Sequence, residues 1–439
     1  MSYSSSVRMS IVDAIINNNS QLVFRLPSSA VLTSNIKLAN VALTAPVGKS
    51  GAYNMVAGNG QSIKRIALMD GGIVLDQLTN ANMYYGFKKF NESNRKNFSY
   101  NRQSVGNSLG YEYTNFEDNI RGASTGTNIL ADTTADTFKS CLYLKDWIAM
   151  LKSTDYLSTS LFKDLRVVVE YDLNIENCGH QTVLTDVTKV LPAVEPLLVI
   201  EEIVREDVRT QIEKSLGSFA WFSIESDVMP IQLPSAAPAT NGATLVQSSS
   251  LSFRGFNNKY VRRIMMVNTP QTSSAASPNV GVVGGSYASQ VIGAGAIGST
   301  AGLQEKLNLV VNGGLLLPRP IERQNQKLAM LVDTFGEVNA PMGTANTGAF
   351  GGGQVLSGHH NRDGRTCYTG LNLSSRIQSL KVDYTRTLQF NATRTAAFTG
   401  GIRANLDMFN CPLLVTMFGE VRKSIVVQPD GSYNLTYMY

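Results

Sequence analysis

The sequence predicts an all-β, mainly antiparallel protein made of two tandem sandwiches, with a few short helices in loops and at the junction. Three observations carry this expectation. A β-rich order occurs twice: residues 22–27 lead into 36–43, and 251–256 lead into 260–267. Each time an aromatic-Arg strand is followed by a break and an apolar strand. The halves also close alike, with the apolar runs 161–171 and 413–427. Finally, short apolar runs flank Asn59-Gly60, Asp70-Gly71-Gly72, Asn312-Gly313-Gly314 and Asp430-Gly431, the residues that two-residue hairpin turns require.

Residues 1–20 read as an N-terminal arm: a Ser-rich start from Met1 to Arg8, then Met9, Val12, Ile15 and Ile16 at roughly helical spacing. Such an arm would order against a neighbour. Residues 21–192 form the first unit. Strands are expected at 63–68 and 73–78, a long polar connection at 81–137, a helix over 138–152 and a closing strand at 165–171. The helix rests on Phe138, Cys141, Leu144, Trp147, Ile148 and Leu151 sharing one face. Residues 193–216 connect the halves with a strand at 197–200 and a short amphipathic helix at 205–214, carried by Val208 and Ile212. Residues 217–439 form the second unit. It should hold strands at 219–224, 307–311, 315–317, 380–384, 388–390 and 433–439, with loops at 234–249, 270–303 and 341–364.

Composition narrows the function. With 439 residues the default is more than one domain, and a hydrophobic share of 43% supplies the cores. Charged residues are only 16%, replaced by Asn, Ser, Thr and Gly. A net charge of +5 is small for this length and argues against a dedicated polyanion coat. No apolar run reaches the roughly 18 residues of a membrane helix, and the start lacks a secretory pattern. Cys141, Cys178, Cys367 and Cys411 are widely spaced, as reduced, buried thiols of a cytoplasmic product would be.

No motif brings catalysis with it. Gly293-Ala-Gly295-Ala-Ile-Gly298 matches a dinucleotide fingerprint in letters, but a Ser/Ala/Gly loop precedes it and no crossover helix fits before the strand at 307. His359 and His360 lie in a Gly-rich loop, and His180 stands apart from them, so no metal set or cofactor site is expected. Glu201, Glu202, Glu206 and Asp207 read as a solvated face. One segment mixes aromatics with cations: Tyr84, Lys88, Lys89, Arg95, Lys96 and Arg102 mark its span. It suits base stacking with phosphate neutralisation, or a long loop that buries its rings against a partner; the second fits better, since no strand-borne platform is evident.

Residues 24–43, 161–171 and 253–267 resemble the major capsid proteins of small tailless DNA viruses, above all those of polinton-like viruses and virophages. The resemblance implies that each sandwich is a jelly roll. It implies a homotrimer forming a pseudo-hexagonal capsomer of an icosahedral virion. Neighbouring capsomers, minor capsid proteins and penton proteins would be its partners. The arm (Met1, Arg8, Met9, Val12, Ile15, Ile16) would then face a neighbour, an inner membrane or the genome. No catalytic residue, cofactor or small-molecule substrate follows from it. Rival readings are another viral β-structural protein, such as a spike or adhesin, and a carbohydrate-active sandwich enzyme, for which Glu170 and Asp172 would be the carboxylates.

Overall fold

The computed structural model describes residues 6–18, 20–41, 43–44, 53–54, 63–84, 140–171, 180–181, 191–192, 195–215, 217–232, 244–270, 305–322, 324–335, 368–389, 413–428 and 432–437. The first sandwich contains β1 (Val7–Val12), β2 (Ala14–Asn17), β3 (Gln21–Arg25), β4 (Val31–Thr33), β5 (Lys37–Val41), β6 (Ile63–Asp70), β7 (Ile73–Thr79), β8 (Ser140–Tyr143), α1 (Ala149–Lys152), β9 (Tyr156–Ser158), β10 (Leu165–Tyr171) and β11 (Leu197–Ile203). Helix α2 (Glu206–Ser215) caps it. The second sandwich contains β12 (Phe219–Ile231), β13 (Thr244–Ser252), β14 (Lys259–Pro270), β15 (Glu305–Val311), β16 (Gly314–Leu315), α3 (Gln324–Phe335), β17 (Tyr368–Ile377), β18 (Leu380–Gln389), β19 (Leu413–Val427) and β20 (Tyr433–Tyr437).

The second sandwich shows its topology directly. Its sheets run β12-β19-β14-β17 and β13-β18-β15-β16, all antiparallel. Numbered along the chain from β12, that is 1-8-3-6 facing 2-7-4-5, the eight-stranded jelly roll. Strand β20 adds to β19 through Lys423–Val427, beyond the end of β14. Edge strand β12 holds Pro230, which suits a strand with one side left unpaired.

The first sandwich follows the same plan. Its closing strand β10 lies between β3 and β6, as β19 lies between β12 and β14. Strand β7 extends that sheet beside β6, and β2 extends it beside β3. In the facing sheet β8 pairs β5 and β9 pairs β4. Strand β11 runs along β5 and β4, with β1 outside it. Segments from both ends of the first half, β1 and β11, therefore complete one sheet.

Local chemistry sets the turns. The β6–β7 loop is Gly71-Gly72, with Gly71 at φ 57°, and the β15–β16 loop is Asn312-Gly313 at φ 52° and 81°. These two expected hairpins form; Asn59-Gly60 and Asp430-Gly431 lie outside the described residues, although β19 and β20 on either side of the latter pair antiparallel. Alternation sets the cores: Leu22 and Phe24 on β3, and Val167 and Val169 on β10, are all fully buried. Each such side chain contributes about 1.5–3 kcal/mol of burial.

Several expectations need correction. The arm is not helical: β1 pairs β11 over six residues and β2 pairs β3. Its backbone groups find sheet partners, which an isolated short helix could not match. The helix expected over 138–152 is strand β8, a tight turn at Leu144–Asp146 and the four-residue α1. Its apolar spacing is real, since Leu144, Trp147, Ile148 and Leu151 are buried, but pairing with β5 takes the first residues. Residues 244–249 are strand rather than loop: half-buried and exposed positions alternate from 245, as on an edge strand with one wet face. The two apolar stretches read as 380–384 and 388–390 are the one strand β18.

The internal repeat is also shifted. Residues 22–27 open the first sandwich, whereas 251–256 end the second strand of the other. The true counterparts are β3 with β12 and β6 with β14. Ile66 faces Val169 and Ile264 faces Gly419. One residue on, Glu170 pairs with Arg65 at 2.5 Å, and Glu420 with Arg262 at 2.6 Å and Arg263 at 2.7 Å. An Arg–Glu brace thus joins the third and closing strands of each sandwich.

Candidate functional site

The two sandwiches share a packed seam. Strand β7 and helix α1 of the first lie against β12 of the second. Trp221, Met265, Val267, Phe418 and Ile425 of the second sandwich belong to the same buried cluster as Phe24, Leu38 and Trp147 of the first. The outward face of the β12-β19-β14-β17 sheet is therefore interior to the chain. Ile264, Met266 and Met417 point the other way, into the second core.

Polar groups fix the register of this seam. Asp76 on β7 is 1% exposed. Its carboxylate accepts from Ser223 Oγ at 2.5 Å, the Met150 amide at 2.7 Å and the Gln77 amide at 3.0 Å. Burial raises its pKa above the usual carboxylate value, and the nearby Lys423 ammonium and these hydrogen bonds only partly offset that. Lys423 Nζ lies 3.1 Å from Glu225 Oε1, and Lys259 Nζ 2.6 Å from Glu225 Oε2. Burial acts to raise the Glu225 pKa, but the two ammonium groups outweigh it and hold the carboxyl below its usual range. Farther along, Thr79 and Ser226 share a 2.7 Å hydrogen bond.

The C-terminal strand closes the seam from outside. Tyr433 donates to Asp70 Oδ2 at 2.8 Å, and its ring meets Phe162 edge-on at 5.2 Å, both in the first sandwich. Tyr437 donates to Glu225 at 3.0 Å, with Lys259 and Lys423 over its ring at 4.8 and 5.1 Å. Burial and the Glu225 carboxylate push the Tyr437 phenol up to about 12.

The arm residues lie on the opposite flank of the first sandwich. Met9 is 66% exposed, Ile15 56% and Ile16 42%, and Ile11 beside them 63%. Val12 packs on the core, and Arg8 pairs with Glu202 at 2.6 Å. Met1 lies outside the described residues, as do Lys88, Lys89, Arg95, Lys96 and Arg102. Tyr84 is buried, its ring 5.2 Å from Phe418, so it builds the seam and is not on offer to a base. Of the two carboxylates considered for glycoside chemistry, Glu170 is engaged by Arg65 and Asp172 lies outside the described residues. Among the described residues no group of His, Cys, Asp and Glu is placed to hold a metal, and no helix is long and apolar enough to cross a membrane.

Sequence reasoning missed Asp76, Glu225 and Lys423. They are single charges within apolar strands, and only pairing across 147 residues brings Ser223 onto Asp76.

No protein-family model matches the sequence, and no curated protein does. Solved structures do match. The quasi-atomic model of the PBCV-1 virus capsid aligns with a TM-score of 0.52 at 10% identity, covering 99% of this chain and 97% of that one. The Sputnik virophage structure aligns with a TM-score of 0.52 at 10% identity, covering 98% and 88%. The Faustovirus major capsid protein aligns with a TM-score of 0.50 at 8% identity, covering 96% and 90%. Both sandwiches lie within each match, so the chain has the double jelly-roll fold that these viral capsid structures carry.

Proposed function

We propose that this chain is a major capsid protein, a non-enzymatic tile that trimerises into pseudo-hexagonal capsomers of an icosahedral virion shell. The observation that carries the proposal is the seam. Two jelly rolls held side by side by a common core and by the Asp76–Ser223 and Thr79–Ser226 hydrogen bonds suit a shell tile, which must present both lobes at a fixed angle. Whole-chain likeness to capsid structures supports it. Three chains of two sandwiches give a near-sixfold outline from threefold symmetry. The exposed apolar residues of β1 and β2 support the arm as a contact to a neighbour or to material inside the shell. Neighbouring capsomers, minor capsid proteins and penton proteins are the further partners, and the protein would be made in the host cell before entering the virion.

Light scattering coupled to size exclusion tests the reading together with negative-stain imaging. Hexagonal particles of three-chain mass are expected. A chain that stays monomeric at high concentration across salt conditions overturns it.

A further inference from the structure

We infer that the second sandwich carries a stacking platform for a short stretch of single-stranded nucleic acid, on the outward face of the β12-β19-β14-β17 sheet near the start of β12. Such a site goes beyond the capsomer reading and does not depend on it. The first sandwich covers that face where Met265, Val267 and Phe418 lie. Toward the start of β12 the cover stops: Phe222, Tyr260 and Arg422 are half-buried, Arg376 is exposed, and the Arg262 side chain is 43% exposed.

Strand pairing lays these residues in one row across the sheet. Phe222 on β12 pairs Arg422 on β19, and Tyr260 on β14 pairs Arg376 on β17. Val261 pairs Val421, which sets Tyr260 beside Arg422. Val261 and Val421 point into the second core, so alternation turns Tyr260 and Arg422 away from it, and their pair partners with them. From edge to edge the row reads aromatic, cation, aromatic, cation. The Phe222 and Tyr260 rings are 6.4 Å apart. Arg262, two residues along β14, places its guanidinium carbon 4.1 Å from the centre of the Phe222 ring.

The charges suit an anionic ligand and the rings suit its bases. Glu420 is the acid beneath the row, and it is already spent: Arg262 donates to its Oε2 from Nε at 2.8 Å and from Nη2 at 2.6 Å, and Arg263 Nη2 lies 2.7 Å from its Oε1. Glu420 thereby fixes the plane of Arg262, and a fixed guanidinium is a surface on which a base can stack. Arg422 has no acid within ion-pair reach among the described residues. Aromatic faces interleaved with arginines across a sheet provide for both parts of a nucleotide, stacking for the base and neutralisation for the phosphate. The bases must be unstacked to use it, which selects a single strand over a duplex. An acidic peptide would use only the cations. An anionic bilayer would need apolar side chains that stand out from the surface, whereas Phe222 and Tyr260 are half-buried.

Fluorescence anisotropy of a short labelled oligothymidylate, titrated with the full chain over a range of salt, tests the platform. Wild type should bind with a log–log salt slope of about −2, as three arginines on a single strand require, and a duplex of the same length should compete poorly. Arg422→Gln should weaken binding and flatten the slope by about 0.7. Tyr260→Leu should weaken it about tenfold through lost stacking and leave the slope alone. Lys381→Gln, at an exposed cation on the facing sheet, should change neither. Melting temperatures confirm that each variant is folded. A wild type that binds no oligothymidylate at low salt overturns the platform. So does binding that survives both Arg422→Gln and Tyr260→Leu, or that polyglutamate or phosphatidylserine vesicles match. The mass of the particle is measured separately, so failure here leaves the capsomer reading standing.

Discussion

At the scale of single residues, Gly419 shows how little slack the second core has. A Cβ on Gly419 would lie 2.5 Å from Phe256 Cε1, so the closing strand passes under that ring only without a side chain. Gly419→Ala should destabilise by about 1–3 kcal/mol in denaturant unfolding, and adding Phe256→Leu should recover much of the loss. An uncorrected double variant would show the clash is not the cause. The seam gives a pH signature. Asp76 holds its proton more tightly folded than unfolded, so its contribution is complete below the unfolded value of 3.8 and is lost as pH rises through the elevated folded value. Glu225 behaves oppositely: its contribution is present above 4.5 and is lost as pH falls through the lowered folded value. Asp76→Asn removes the first dependence and keeps the second. The stability difference between wild type and variant should therefore change as pH rises from 3.8, and parallel curves would contradict the assignment.

At the scale of elements, the C-terminal strand acts as a clasp between sandwiches. Tyr433→Phe removes the hydrogen bond to Asp70 while keeping the ring on Phe162, and should cost about 0.5–1.5 kcal/mol; no change in the unfolding midpoint would mean that the clasp adds nothing. What was legible in the sequence also divides by element. The hairpins at Gly71-Gly72 and Asn312-Gly313, the closing strands and the helix at 206–215 were readable because each is decided by residues a few positions apart. Strand β13 was not, since Ser248, Ser249 and Ser250 look like loop until Thr385 and Asp383 are seen hydrogen-bonding across to them. Helix α3 was missed because no cap or strong periodicity announces Gln324–Phe335. The repeat was sensed but misaligned: aromatic-Arg spacing looked like the marker, whereas the partner of Arg65 is Glu170, 105 residues away. The exposed flank was half legible. Its residues were picked out, but their helical spacing hid two strands. The seam was not legible at all, because Asp76 meets Ser223 only once both sandwiches have formed.

At the scale of the whole molecule, the shared core should make the two sandwiches melt together. Calorimetry should give one transition whose van't Hoff enthalpy equals the calorimetric enthalpy, and two separated peaks would show the seam to be weaker than its burial suggests. In the proposed tile, a hinge between the lobes would blur the angle that each contact between copies must repeat.

The place of β19 has a further outcome. It is the central strand of its sheet, flanked by β12, β14 and β20, yet it follows the other seven strands of its jelly roll along the chain. Every described strand of the first lobe lies before residue 204, while the second lacks its keystone until residue 427. A chain that stopped short of residue 413 would therefore leave β12 and β14 without their shared partner, unpaired edges of the kind that drive aggregation.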